Sequence, residues 1–168
     1  MTTPSRRAAP RRRASPRRWY QPPAGPACAP LYISADEMLD LAWAQFGPRW
    51  MSGYPQILYP GDAEYYCPPL AEAQAIIANS QIDKHTYARD VFDCDDFTAV
   101  LKANFSQAAY DEGDRLHAYC VGILWANQPY GHALNWMINS DRVLRLIEPQ
   151  KARIFPLEGY GEFYLATI

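Results

Sequence analysis

The sequence predicts an α+β fold with helices first and an antiparallel sheet after them. Three observations predict it. Apolar residues recur at helical spacing in separate stretches before Gly113. Beyond Gly113 the period changes to that of strands. The first three strand-like segments are joined by short turns, "NQPYG" and "NSDR", as antiparallel hairpins require. No internal repeat is present, and helices followed by strands define the α+β class.

The first helix follows "SADE" at 34–37, a capping box in which the Ser34 hydroxyl caps the first turn and Glu37 reaches back. Met38, Leu41, Ala42 and Phe46 then share one face, and Gly47-Pro48 stops the helix. Residues 48–68 hold four prolines, two glycines and four tyrosines and read as an irregular segment suited to lining a cleft or packing the sheet. A second helix runs from about Pro69 through "LAEAQAIIANS". The third starts at Asp93 as N-cap, with Asp96 three residues on, where acids favour the helix's positive end. Phe97, Leu101, Phe105 and Ala108 form its apolar face, and Gly113 closes it. Strands are expected at 116–126, 132–138, 143–149 and 162–168.

Length and composition set the frame. At 168 residues, 49% of them hydrophobic, the chain suits one domain with a real core. No apolar run reaches the ~18–20 residues that span a bilayer. The start has no apolar segment of a secretory signal, so a cytoplasmic protein is expected. The net charge of −2 hides an asymmetry. Seven of the sixteen basic residues, all arginines between Arg6 and Arg18, lie in residues 1–20 with no acid, which leaves residues 21–168 at −9. With Pro4, Pro10 and Pro16 opposing a helix, residues 1–30 read as a disordered arm and linker ahead of a domain at 31–168. The basic stretch 6–18 can attract nucleic acid or an acidic surface. No nucleic-acid-binding motif accompanies it, and the acidic remainder repels phosphate.

The four cysteines, Cys28, Cys67, Cys94 and Cys120, lack the CxxC spacing of a structural zinc site. Disulfides are not expected without a secretory route, so each is a core residue or a reactive thiol. Cys94 sits in "DCDDF" (93–97), where three carboxylates disfavour a thiolate. It is either a small buried residue beside a solvated acidic turn, or a nucleophile whose acids something else compensates. A nucleophilic cysteine needs a helix N-terminus or cation, a histidine, and a group to orient that histidine. Helix three supplies the first. Of His85, His117 and His132, the last opens a strand in the hairpin 132–149. A three-residue loop at 139–141 would set His132 opposite Glu148 and Trp136 opposite Leu144, whereas a two-residue loop would turn Glu148 to the other face.

"DCDDF", then "GHALNW", then "LRLIEPQ" resembles the Cys…His…Glu pattern of the papain-like cysteine-protease domain in chimerolectins of the Marasmius oreades agglutinin type. The wider transglutaminase-like group shares this chain order. The resemblance covers about residues 60–155 and implies a papain-like or transglutaminase-like fold. It also implies a cysteine-dependent hydrolase, a peptidase or amidase acting on a peptide or amide substrate. Cys94 would be the nucleophile, His132 the base and Glu148 the orienting carboxylate. Asn135, Trp136 and Gln81 would border the site, Gln81 as oxyanion donor, because Ala88 stands where papain-like enzymes keep a glutamine. Fungal members need calcium, for which Asp93, Asp95 and Asp96 are suitable hard ligands. Nothing resembles the β-trefoil repeats of those lectins. The alternative is a non-catalytic interaction module on the same fold, with the basic arm as contact surface.

Overall fold

The computed structural model describes residues 31–51, 58–113, 116–127, 131–158 and 161–168. The expected arm at 1–30 lies outside them. The chain opens with strand β1 (Tyr32–Ser34) and helix α1 (Ala35–Phe46). Ser34 Oγ accepts from the Glu37 N–H at 3.2 Å, the N-terminal half of the expected capping box. Strand β2 (Glu64–Tyr66) pairs with β1 in a separate two-stranded ribbon. Helix α2 (Leu70–Ser80) and helix α3 (Cys94–Glu112) follow. A full capping box closes the start of α3: the Asp93 side chain accepts from the Asp96 backbone, and Asp96 Oδ2 accepts from the Asp93 N–H at 3.1 Å. Gly113, at φ +71°, ends the helix in the left-handed conformation that glycine adopts without strain.

The remaining strands are β3 (Val121–Ala126), β4 (His132–Ile138), β5 (Leu144–Glu148), β6 (Arg153–Pro156) and β7 (Phe163–Thr167). They form one sheet in the order β6-β5-β4-β3-β7, with every pairing antiparallel. The order is not a plain meander, since the chain crosses from one sheet edge to the other between β6 and β7. β3 begins five residues later than expected, because Tyr119 and Cys120 leave the sheet edge to bridge β2.

Helices cover both faces of the sheet. Toward α1, Met38, Ala42 and Phe46 pack with Leu124, Leu134, Trp136, Ile138, Leu144 and Leu146. Toward α2 and α3, Ile76, Ile77, Phe97, Leu101 and Phe105 pack with Val121, Met137 and Ile147. Strand alternation produces this division, since neighbouring residues point to opposite faces. Among the described residues, no helix is long and apolar enough to cross a membrane.

The first cap gives a direct test. Ser34→Ala removes the acceptor for the Glu37 N–H, so a loss of about 1 kcal/mol and a melting temperature lower by ~2–4 °C are expected. Ser34→Asp keeps an acceptor and should stay near wild type.

Candidate functional site

The hairpin β4–β5 brings His132 and Glu148 together, but not as direct partners. The register pairs Ile138 with Leu144 and Trp136 with Leu146, so the connecting loop holds five residues, 139–143, rather than three. The shift of two residues preserves the face and leaves His132 and Glu148 diagonal. His132 Nε2 lies 2.8 Å from Glu148 Oε2. Glu148 Oε1 also accepts the Gln150 N–H at 3.2 Å, which anchors the carboxylate on the 3-10 turn at Pro149–Lys151.

Cys94 is the first residue of α3 and is half-buried. No hydrogen bond joins its thiol to His132, whose ring bonds Glu148. Along β4, His132 shares the parity of Leu134 and Trp136, which pack toward α1, whereas Met137 packs toward α3. His85 also lies beside the start of α3, stacked on Phe92 at 5.3 Å and edge-on to Phe97 at 6.5 Å.

The residues expected to border a substrate make hydrogen bonds within the fold. Asn135 is fully buried, and its Nδ2 donates to the Thr98 and Gly122 carbonyls at 3.0 and 3.1 Å, tying α3 to the sheet. Trp136 is fully buried and donates from Nε1 to the Thr167 carbonyl at 3.0 Å. Gln81 terminates α2 at φ 55°, with its Nε2 on the Ala78 carbonyl at 2.6 Å. Asn135 Oδ1 is buried without a hydrogen-bond partner, and Gln81 is exposed.

The acidic turn is a different matter. The carboxylates of Asp93 and Asp95 and the Cys94 thiol lie within 4.8 Å of one another. Asp93 Oδ1 is buried without a hydrogen-bond partner. The neighbouring carboxyls act on each other, the Asp95 side chain holding Asp93 below the usual carboxylate range and Asp93 pushing Asp95 above it. Two converging carboxylates, one with an unpartnered oxygen, fit a hard cation such as calcium, and Asp93 and Asp95 would hold it. Cys94 is a soft donor poorly suited to calcium, and Asp96 has one oxygen committed to the cap.

A cleft of about 200 Å³ opens elsewhere, between Asp62–Glu64 and Leu116–Ala118. Its polar groups are two carboxylates and an imidazole. Glu64 Oε2 lies 3.4 Å from His117 Nε2, and the Tyr32 ring meets His117 edge-on at 4.8 Å. Tyr65 steadies this wall by accepting the Asp62 N–H at its hydroxyl, 2.9 Å away. Leu116, 83% exposed, supplies an apolar flank. The tyrosine-rich 48–68 segment suits a cleft wall or sheet packing and His117 is one of three candidate histidines, but nothing local in the sequence marks Asp62 or Glu64. The missing signal is the Tyr66–Tyr119 bridge, a long-range contact that no local period announces.

A family model described as Agglutinin C-terminal matches residues 65–154. No curated protein matches the chain. Among solved structures, a PSL1a–E64 complex aligns with a TM-score of 0.71 at 18% identity, covering 82% of this chain and 51% of that one. Polyporus squamosus lectin bound to the human-type influenza-binding epitope Neu5Aca2-6Galb1-4GlcNAc aligns with a TM-score of 0.67 at 19% identity, covering 82% and 50%. The chain thus spans about half the length of the structures it matches.

These findings correct the expected function. The matched family is one of agglutinins, and the matched lectin carries a glycan epitope rather than a peptide. The reading as a cysteine peptidase or amidase with a peptide or amide substrate is not upheld.

Proposed function

The chain belongs to the agglutinin C-terminal family, and on that footing we propose that it is a non-catalytic binding module whose cleft between Asp62–Glu64 and Leu116–Ala118 takes a neutral, hydroxyl-rich carbohydrate. The observation that carries this reading is the pairing of two carboxylates and an imidazole with an exposed apolar flank in one concavity. Carboxylates accept charge-assisted hydrogen bonds from sugar hydroxyls. The Leu116 side chain offers an apolar surface to the C–H face of a sugar ring. Two acids, on a body whose residues 21–168 carry −9, disfavour a ligand bearing its own carboxylate. The ligand is therefore the neutral disaccharide Galb1-4GlcNAc type rather than a sialylated one.

The papain-like or transglutaminase-like topology, with residues 31–168 as its extent, is part of the same proposal and concerns fold alone. The helix-first, sheet-last order and the helix capped at Asp93 support it. An Arg-rich contact arm rests on residues outside the described ones.

Calorimetric titration with Galb1-4GlcNAc, with and without the Neu5Ac cap, tests the function. The neutral sugar is expected to bind at least tenfold more tightly than the capped one. Glu64→Gln, which loses a charged acceptor, is expected to weaken binding by roughly 10–100-fold. Tighter binding of the capped sugar, or none by either sugar at millimolar concentration, would remove the cleft assignment. Peptide turnover abolished by Cys94→Ala would overturn the non-catalytic part.

A further inference from the structure

The two buried cysteines among the described residues, Cys67 and Cys120, lie on neighbouring segments. The Tyr66 N–H donates to the Ala118 carbonyl at 2.8 Å, and the Cys120 N–H donates to the Tyr66 carbonyl at 2.7 Å. This is a parallel bridge with Tyr66 opposite Tyr119, and their rings meet at 5.5 Å on one side. One residue further along each segment, Cys67 and Cys120 turn to the other side. Both are fully buried. Paired strands lie about 4.8 Å apart, inside the 4.4–6.8 Å Cα range that a disulfide tolerates.

A cation attends the pair. Arg142, in the β4–β5 turn, sits at φ 60° and places Nη1 3.2 Å from Cys67 Sγ, while Nη2 donates to the Tyr32 carbonyl. The turn is held over this spot by the Ser140 N–H on the Pro68 carbonyl at 3.0 Å. Two thiols serving only as core filler need no guanidinium, and a left-handed backbone at an arginine is uncommon. The neighbouring Cys120 side chain, and then the Arg142 guanidinium, hold the Cys67 thiol below its usual range against the effect of burial. Burial pushes Cys120 well up. One sulfur is thereby prepared as the thiolate and the other as the thiol beside it.

We propose that Cys67 and Cys120 form a redox-responsive pair that a peroxide closes to a disulfide, fastening β2 to β3 at the base of the cleft. The Cys67 thiolate attacks one peroxide oxygen, breaking the O–O bond and leaving a sulfenic acid while hydroxide takes a proton to become water. Cys120 sulfur then attacks Cys67 sulfur. The S–S bond forms, the Cys67 S–O bond breaks, and the Cys120 proton leaves with the departing hydroxyl as a second water. Two thiols are oxidised by two electrons and one peroxide is reduced to two waters. The cleft walls, Asp62–Glu64 and Leu116–Ala118, lie a few residues from the two sulfurs. The oxidised form therefore holds those walls in one spacing, a consequence that rests on the proposed binding function.

Treatment of the full chain with hydrogen peroxide, followed by denaturation, alkylation and non-reducing peptide mapping, tests the pair. The expected result is a cross-linked peptide joining Cys67 to Cys120 with the loss of two hydrogens. The bond closes a loop of roughly 50 residues, so the melting temperature should rise by roughly 5–15 °C and return on reduction. Arg142→Met should slow closure by about tenfold, because it removes the cation from the Cys67 sulfur. Full alkylation of both cysteines after peroxide, or a cross-link to Cys28 or Cys94 instead, would overturn the proposal. If the 67–120 bond forms and no sugar binds in either redox state, the pair stands and only the binding function falls.

Discussion

Gly122→Ala is expected to be the most damaging single substitution in the sheet, with a loss of roughly 3–5 kcal/mol or failure to accumulate folded protein. A Cβ at this position would fall inside the Thr167 carbonyl oxygen and the Trp136 indole nitrogen. Neither neighbour can retreat. Thr167 O is backbone of the edge strand β7, and Trp136 is fully buried and bonded to that same oxygen at 3.0 Å. Gly122 is also the residue opposite Trp136 in the β3–β4 register. The glycine is therefore the space in which the indole lies across the sheet to reach β7. Urea unfolding checks the magnitude. A stability within 1 kcal/mol of wild type would show that β7 can shift, and that the Trp136–Thr167 bond does not fix the sheet edge.

Glu72→Ala is the second large expected effect, roughly 2–4 kcal/mol by the same measurement. Glu72 lies in the first turn of α2 and is only 2% exposed. Its Oε2 accepts from Tyr66 at 2.9 Å and its Oε1 from Tyr119 at 2.6 Å. Those tyrosines belong to the two segments of the parallel bridge, so one carboxylate ties α2 to both. Truncation leaves the Tyr66 hydroxyl without this acceptor; Tyr119 retains a longer contact with Glu112 at 3.3 Å. Glu72→Gln keeps one acceptor oxygen and should cost less than half as much. A double-mutant cycle with Tyr66→Phe and Tyr119→Phe separates the two bonds. Additive losses across the cycle would mean that the carboxylate acts by packing alone.

What the sequence disclosed was local. Ser34 and Asp93 announced the starts of α1 and α3, and Gly113 announced an end, because caps act within one turn. Alternation located β4 and β5 within a residue, and parity kept His132 and Glu148 on one face. The register itself slipped by two. The loop is stabilised by side-chain bonds, Asn139 Oδ1 accepting the Val143 N–H at 2.9 Å and Asn139 Nδ2 reaching Asp141 at 3.2 Å, that no turn rule required. The three-residue strands β1 and β2 were missed because their pairing, not their composition, makes them strands. Parity could not say which face α3 covers. Asp62, Glu64 and His117 meet only through contacts between distant segments, so no motif spacing could have joined them.

The central claim is that ligand enters the cleft beside the β2–β3 bridge rather than the Cys94 or His132 regions. Backbone amide shifts in a nitrogen-15 NMR titration with Galb1-4GlcNAc test it most directly. The expected result is saturable movement confined to the amides around Glu64 and Leu116–Ala118, weakened in Glu64→Gln. Saturable movement centred on Cys94 or on His132 and Glu148, with the cleft amides unmoved, would contradict it.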